Sequence, residues 1–270
     1  MRQRRTCGER LPRLLPGVGT ALPGSPRHRT TLGASLLYDD REQIVREESR
    51  NVKTLSNEEV SRLPDTPYNL WVRGELDDHV DAPEGSRIEI IGGKVVVSPP
   101  PGLSHGGPIR FITRAFERAG DADPEFPWAV QQVAGVRLVG LGDGYIPDLV
   151  VTTEEILLAS EKARLPELAS DEIEMVVEVT SRWGADGDRP PRQTPPRDKN
   201  KWTGYAQAEV PYYLLIDRAP KIARSTLYCI PDRATGAYLH QECWEFGETI
   251  HLPDPFDLEI DTTHWVTWES

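Results

Sequence analysis

The sequence predicts a mixed α/β (α+β) fold: a mixed β-sheet flanked by helices, with additional antiparallel strands towards the C-terminal end. Three observations carry this. Arg87–Ile91 and Lys94–Ser98 are strand-like runs separated by Gly92-Gly93, the signature of a two-residue hairpin. Asp148–Thr152 and Ile173–Thr180 are nearly continuous in Val, Ile, Leu and Met, as strands covered on both faces are. From His105 onward, Ile109, Ile112 and Phe116 recur at helical spacing.

The remaining elements follow in order. Ser56 with Glu59 three residues on is a capping-box pattern, which predicts a short helix ending before Pro64. Gly120 is the expected C-terminal cap of the helix that opens at His105. Ala129–Val139 reads as a single strand. The loop from Arg182 to Arg197 carries four prolines, and a second helix follows it, with Asp198 as its expected N-cap and an end near Ala208. Val210–Asp217 reads as a strand. Ser225–Ile230, Ala237–Phe246, Thr249–Leu252 and Leu258–Ile260 read as antiparallel strands.

Composition narrows the function without naming it. The chain has 270 residues, enough for one large domain, and no apolar run approaches the roughly 20 residues of a membrane span. Its net charge of −12 is uneven: residues 1–38 hold seven Arg and one Glu, whereas the rest holds 24 basic and 42 acidic groups. An acidic body argues against broad coating of nucleic acid, which depends on neutralising many phosphates. It leaves room for an enzyme that handles phosphate locally around a metal ion. The Pro-broken, basic residues 1–50 read as a disordered tail rather than an export signal, leaving 51–270 as the folded domain. Cys7, Cys229 and Cys243 are odd in number and widely spaced, which fits a reducing cytoplasm; the last two read as buried small hydrophobes.

The chemistry gathers on a few polar residues in apolar company. Glu178 lies mid-strand between Val177 and Val179, and Asp148 opens the second apolar strand directly after Pro147. A buried carboxylate must be protonated, paired or bound to a metal. Two such acids on neighbouring strands suit Mg²⁺ or Mn²⁺, which favour oxygen ligands. Pairing with arginines is the competing reading. Lys201 sits in the first turn of its helix, where a cation is disfavoured by the helix dipole, so its placement points to a carboxylate partner. An Asp, a Glu and a Lys at a metal are the equipment of metal-assisted phosphodiester hydrolysis.

The ordered set IEIIGGKVVVSPPP, His105, IPDLVV, MVVEVTS, a DxxK helix and GYAQAEVPYYLLID resembles the bacterial "putative restriction endonuclease" family of the PD-(D/E)XK nuclease superfamily, over roughly Pro83 to Asp261. The resemblance implies a restriction-endonuclease-like core. It also implies a Mg²⁺- or Mn²⁺-dependent endonuclease acting on DNA, with Asp148 and Glu178 as metal ligands and the Val179 carbonyl as a third. Glu89 matches the acid of the family hairpin, and His105 the His opening its first helix. Lys201 and Tyr205 match the Lys and Tyr of the later helix. The superfamily Lys should follow Glu178 by two residues, where Thr180 stands, so Lys201 is the candidate and Lys199 its reserve. By analogy with the superfamily the chain forms a homodimer.

Each residue has a plainer alternative: a solvent-face acid for Glu89, capping or packing for His105, packing for Tyr205, a solvated face for Arg110, Arg114 and Arg118. For the whole chain the alternatives are a catalytically inactive nuclease-fold binding module and a nuclease directed at RNA.

Overall fold

The computed structural model describes residues 52–192 and 199–268. The expected tail over residues 1–50 and the Asp198 cap lie outside them.

β1 (Lys53–Thr54) leads into α1 (Asn57–Ser61), where Ser56 and Glu59 form the reciprocal capping box. α2 (Pro67–Val72) starts on a Thr66 cap with proline at its first position. β2 (Arg87–Ile91) and β3 (Lys94–Ser98) form the expected hairpin, with Gly92 at φ 59° and Gly93 at φ 75°, as a primed turn requires. α3 (Gly106–Ala122) runs two residues beyond the expected stop at Gly120, because Gly120 stays in helical conformation and the chain turns extended only at Asp123.

The expected strand over residues 129–139 is two strands, β4 (Trp128–Gln132) and β5 (Gly135–Leu138), in different sheets. Val133 between them takes φ 54°, which breaks the extended backbone and redirects the chain. β6 (Asp143–Tyr145) and β7 (Leu149–Thr153) follow, then α4 (Glu154–Ala163), capped by Thr153 and absent from the sequence reading. Its apolar residues Ile156, Leu157 and Leu158 are adjacent rather than spaced by a helical turn, so no periodicity announces it.

β8 (Glu167–Ala169), β9 (Met175–Val179) and α5 (Ala185–Asp188) precede α6 (Lys201–Gln207), whose N-cap is Asn200: its side chain accepts from Thr203 N at 3.0 Å. β10 (Tyr212–Asp217), β11 (Arg224–Asp232), β12 (Ala237–Glu245), β13 (Thr249–Leu252) and β14 (Leu258–Asp261) complete the chain. Cys229 is buried, but Cys243 is exposed: Trp244 and Tyr238 take the inward face of β12, and Cys243 falls on the other.

Two six-stranded mixed sheets form the body, in the orders β1-β3-β2-β6-β5-β8 and β12-β11-β10-β9-β7-β4, with β13-β14 as a separate hairpin. The β9–β10 pair is parallel and the β7–β9 pair antiparallel. β7, β9 and β10 are buried on both faces, as their unbroken apolar runs predict. On one face, Leu149, Val151, Met175, Val177 and Leu214 pack against α3 and the β13–β14 hairpin. On the other, Val150, Val176, Tyr213 and Leu215 pack against Trp202, Tyr205 and Ala206 of α6 and against Tyr145.

The first sheet has its own core, where Ile88, Ile90, Val95 and Val97 meet Leu70 and Trp71. Two-residue periodicity then turns Arg87 and Glu89 to the opposite face of β2, towards α6.

Two close approaches lock these layers together. The Asp143 carboxylate accepts from Gly92 N at 3.0 Å and Gly93 N at 2.9 Å, and Gly92 lies against Lys199 just ahead of α6. The Tyr145 hydroxyl lies against Gly204 of α6, where any Cβ would land on it, and the Tyr145 and Tyr205 rings meet edge to face. Gly204→Ala is therefore expected to destabilise the protein by at least about 1–3 kcal/mol. Gly120→Ala, on an exposed stretch of α3 with nothing within 4 Å, should be neutral or stabilising by up to about 1 kcal/mol. Urea unfolding of both variants checks the pair.

Candidate active site

Register places the two strand acids opposite one another. In the antiparallel β7–β9 ladder Leu149 faces Val177 and Val150 faces Val176. One further step sets Asp148 across from Glu178, on the face shared with Val150 and Val176 and covered by α6. Like charges directly opposed across a ladder repel. The chain answers this by bringing cations from two other elements.

Lys201, at the start of α6, reaches between the sheets. Its Nζ is 2.8 Å from Glu89 Oε1 and 3.0 Å from Glu178 Oε1. The Tyr205 hydroxyl, one turn on, donates to the same Glu178 oxygen at 3.1 Å. Glu89 also accepts from Ile146 N at 2.7 Å, which ties the hairpin acid to the chain just before Pro147-Asp148.

Asp148 is held by a separate set. Arg87 NH1 lies 2.7 Å from its Oδ1, His105 Nε2 donates to the same oxygen at 2.9 Å, and Val179 N donates to Oδ2 at 2.7 Å. His105 is the residue from which α3 sets out, and its side chain caps no helix N–H. All seven of these side chains are buried or nearly so.

Six of the seven candidate residues thus converge: Glu89, His105, Asp148, Glu178, Lys201 and Tyr205. Lys199 does not; it is exposed on an adjacent groove. Burial excludes the solvent-face reading of Glu89, and His105 makes no helix cap; Tyr205 packs in the core as well as reaching Glu178, and Arg110, Arg114 and Arg118 are a solvated face of α3.

Sequence reasoning missed two members. Arg87 is the arginine partner that Asp148 was open to, and its position two residues before Glu89 puts it on the same face of β2. Asp188, at the end of α5, is half-buried beside Lys201 and the other acids. Its helix is a single turn within the stretch that the sequence reads as a loop, too short for any periodicity to single it out.

The electrostatics are those of an anionic excess. Four carboxylates face two permanent cations, Arg87 and Lys201. Burial raises Glu178 well above the usual carboxylate range, Lys201 opposes this, and Asp188, Asp148 and Glu89 add to it. Burial likewise pushes Asp188 up to about 7 against the pull of Lys201, with Asp148 and Glu89 reinforcing the rise. Asp148 goes the other way: burial would raise it, but His105, Arg87 and the Val179 N–H hold it well below the usual range. Burial also works against the Lys201 ammonium, yet Glu178, Glu89 and Asp188 keep it firmly protonated.

Among the described residues no group of three or more His, Cys, Asp or Glu side chains stands ready to hold a metal ion. Lys201 and Arg87 occupy the carboxylate oxygens instead. The donor chemistry nevertheless suits a hard divalent cation: the acids are oxygen ligands, and their excess over the fixed cations is about two charges.

The body is thus a mixed α/β fold in which acids of adjacent central strands meet a helix lysine. The chain belongs to the Uma2 family, described as "Putative restriction endonuclease", whose model matches residues 75–263. No curated protein matches the chain. Among solved structures it is similar to one described as a putative nuclease belonging to DUF820 from Anabaena variabilis, at 15% identity and a TM-score of 0.49, covering 75% of this chain and 99% of that one. Among the described residues, no helix is long and apolar enough to cross a membrane.

The raised acids set a direction for stability. Between their unfolded values near 4 and their folded values, Glu178 and Asp188 bind more protons in the folded chain, so the metal-free protein should gain stability as pH falls from 8 towards 5. Asp148 works oppositely, and its contribution is lost only below about pH 4. Asp188→Asn removes one excess charge: its melting temperature at pH 8 should exceed the parent's, with a shallower rise on acidification. Thermal melts from pH 5 to 8 test both.

Proposed function

We propose that the chain is an endonuclease that hydrolyses phosphodiester bonds in DNA with Mg²⁺ or Mn²⁺. The observation that carries this reading is the anionic excess of a buried cluster built around one lysine, at the ends of β7 and β9. Family membership supports the same reaction class.

Asp148 and Glu178 would hold the ion, with the Val179 carbonyl as a further ligand and Glu89 assisting. When bound, the ion supplies an acidified water and positive charge against the phosphate. The rest is work for side chains. Lys201 is too firmly protonated to take a proton from water, so its part is to orient the attacking water and to stabilise charge developing on the phosphate oxygens. Tyr205 fixes the Glu178 carboxylate by its hydroxyl, and Glu89 fixes the Lys201 head. Arg87 and His105 keep Asp148 ionised, ready to accept a cation. Lys199, His105 and Tyr205 remain candidate substrate contacts.

One observation favours a second reading, an inactive binding module: Arg87 and Lys201 themselves pair with Asp148, Glu89 and Glu178. An RNA substrate is the remaining variant of the first.

The test is cleavage of supercoiled plasmid, single-stranded DNA and RNA with Mn²⁺ or Mg²⁺. Cleavage by the parent should vanish with a chelator. Asp148→Ala and Glu178→Ala should lose activity by on the order of 10²–10⁴-fold, and Lys201→Ala by roughly 10²–10³-fold. Undiminished cleavage by Asp148→Ala would overturn the assignment, and absence of cleavage together with no Mn²⁺-induced rise in melting temperature would leave the binding module.

A further inference from the structure

The segment between β9 and α6 has two aspects. Asp188 faces the acid cluster, while Arg182, Arg189 and Arg192 from the same stretch line two open grooves of about 430 and 630 Å³. The grooves adjoin, sharing Asp186, Arg189, Arg192 and Ile222. Lys199, Lys221 and Arg224 add to their walls, so six cations gather in a chain whose net charge is −12.

Among the described residues lining the grooves, two acids, Asp186 and Asp217, answer them. Asp217 takes Arg189 through both oxygens, at 2.7 and 2.8 Å, and Asp186 takes Arg189 and Arg192. Among the described residues, Arg182, Lys199, Lys221 and Arg224 have no carboxylate partner. Positive potential concentrated in an open groove on an acidic body attracts a polyanion to that groove rather than to the surface at large.

An aromatic platform stands in the same place. Trp183 is 49% exposed, the one aromatic among the exposed large apolar side chains described, and the Arg182 guanidinium lies 5.1 Å from its ring centroid. Half-buried Trp268 lines the same groove. An indole and a guanidinium at the surface offer a base a stacking face, and lysines and arginines along the groove offer its phosphates charge. A base stacked within a duplex has no free face for this, so the arrangement suits an unpaired strand.

Chain connectivity links the groove to the acid cluster. Lys199 and Asn200 on the rim directly precede Lys201, and Arg189 directly follows Asp188. We propose that this groove binds single-stranded nucleic acid, with a base on Trp183 and the backbone along Arg182, Lys221, Arg224 and Lys199, and delivers the strand to the acid cluster. The proposal deepens the nuclease reading by naming the form of its substrate, and it rests on that reading only for the delivery step.

The test is fluorescence anisotropy of the full chain with a labelled 12-nucleotide oligo-dT, and with a blunt duplex of the same length, in a chelator so that nothing is cut. The single strand should bind roughly tenfold tighter than the duplex and quench tryptophan emission. Trp183→Ala should weaken single-strand binding roughly tenfold, with an unchanged melting temperature because the side chain is exposed. The double variant Lys221→Gln, Arg224→Gln should lower the slope of log affinity against log salt by about 1.4. Equal affinity for strand and duplex, or a Trp183→Ala chain that binds as the parent does, overturns the groove proposal even if Mn²⁺-dependent cleavage is found. Binding through Trp183 with neither cleavage nor a Mn²⁺-induced rise in melting temperature upholds the groove and removes the nuclease reading instead.

Discussion

The ammonium of Lys201, held between Glu89 and Glu178, joins three separate parts of the chain at one point. Glu89 comes from the hairpin sheet, Glu178 from the centre of the second sheet and Lys201 from the helix between them. Removing the lysine alone would leave two buried carboxylates unpaired, a change in the range of about 3–5 kcal/mol. The surrounding architecture serves this contact. Asp143 ties down the glycine turn of the hairpin, Gly92 admits the backbone ahead of α6, and Gly204 lets α6 settle against Tyr145.

The same contact leaves a residue of negative charge. One lysine and one arginine stand against four acids, and the imbalance is visible where burial meets mutual repulsion, at Glu178 and Asp188. A fold selected only for stability has little reason to keep such a cluster, because apolar replacements of similar volume are commonly neutral or better. A cluster kept for binding a cation and a phosphate has that reason. The cationic groove around Trp183 adjoins the residues that supply Asp188, so the proposed attraction for a polyanion and the proposed affinity for a divalent cation would be set by one stretch of chain.

Much of this was legible in the sequence, and the legible parts share a physical cause. Strands buried on both faces advertise themselves as unbroken apolar runs, and a carboxylate inside such a run stands out, as Glu178 and Asp148 do. The glycine pair and the Ser56–Glu59 box are local devices with local signals. What escaped was set by tertiary context. Val133 breaks one apparent strand into two by a single backbone turn, and α4 hides because its apolar residues are adjacent. Arg87 has a signal only once Glu89 is known to face the site. Asp188 has none, since its place depends on how the short helix after β9 is carried back to the strand acids. Lys201 was signalled by its place in the first turn of a helix, whereas Glu89, His105 and Tyr205 were picked out by the family resemblance.

Titration of the metal-free protein with Mn²⁺ by isothermal calorimetry tests the central claim most directly. One Mn²⁺ per chain should bind, with protons released as Glu178 and Asp188 ionise, and binding should be lost in Asp148→Asn, Glu178→Gln. Absence of binding by the folded parent, or binding undiminished in the double variant, would contradict it.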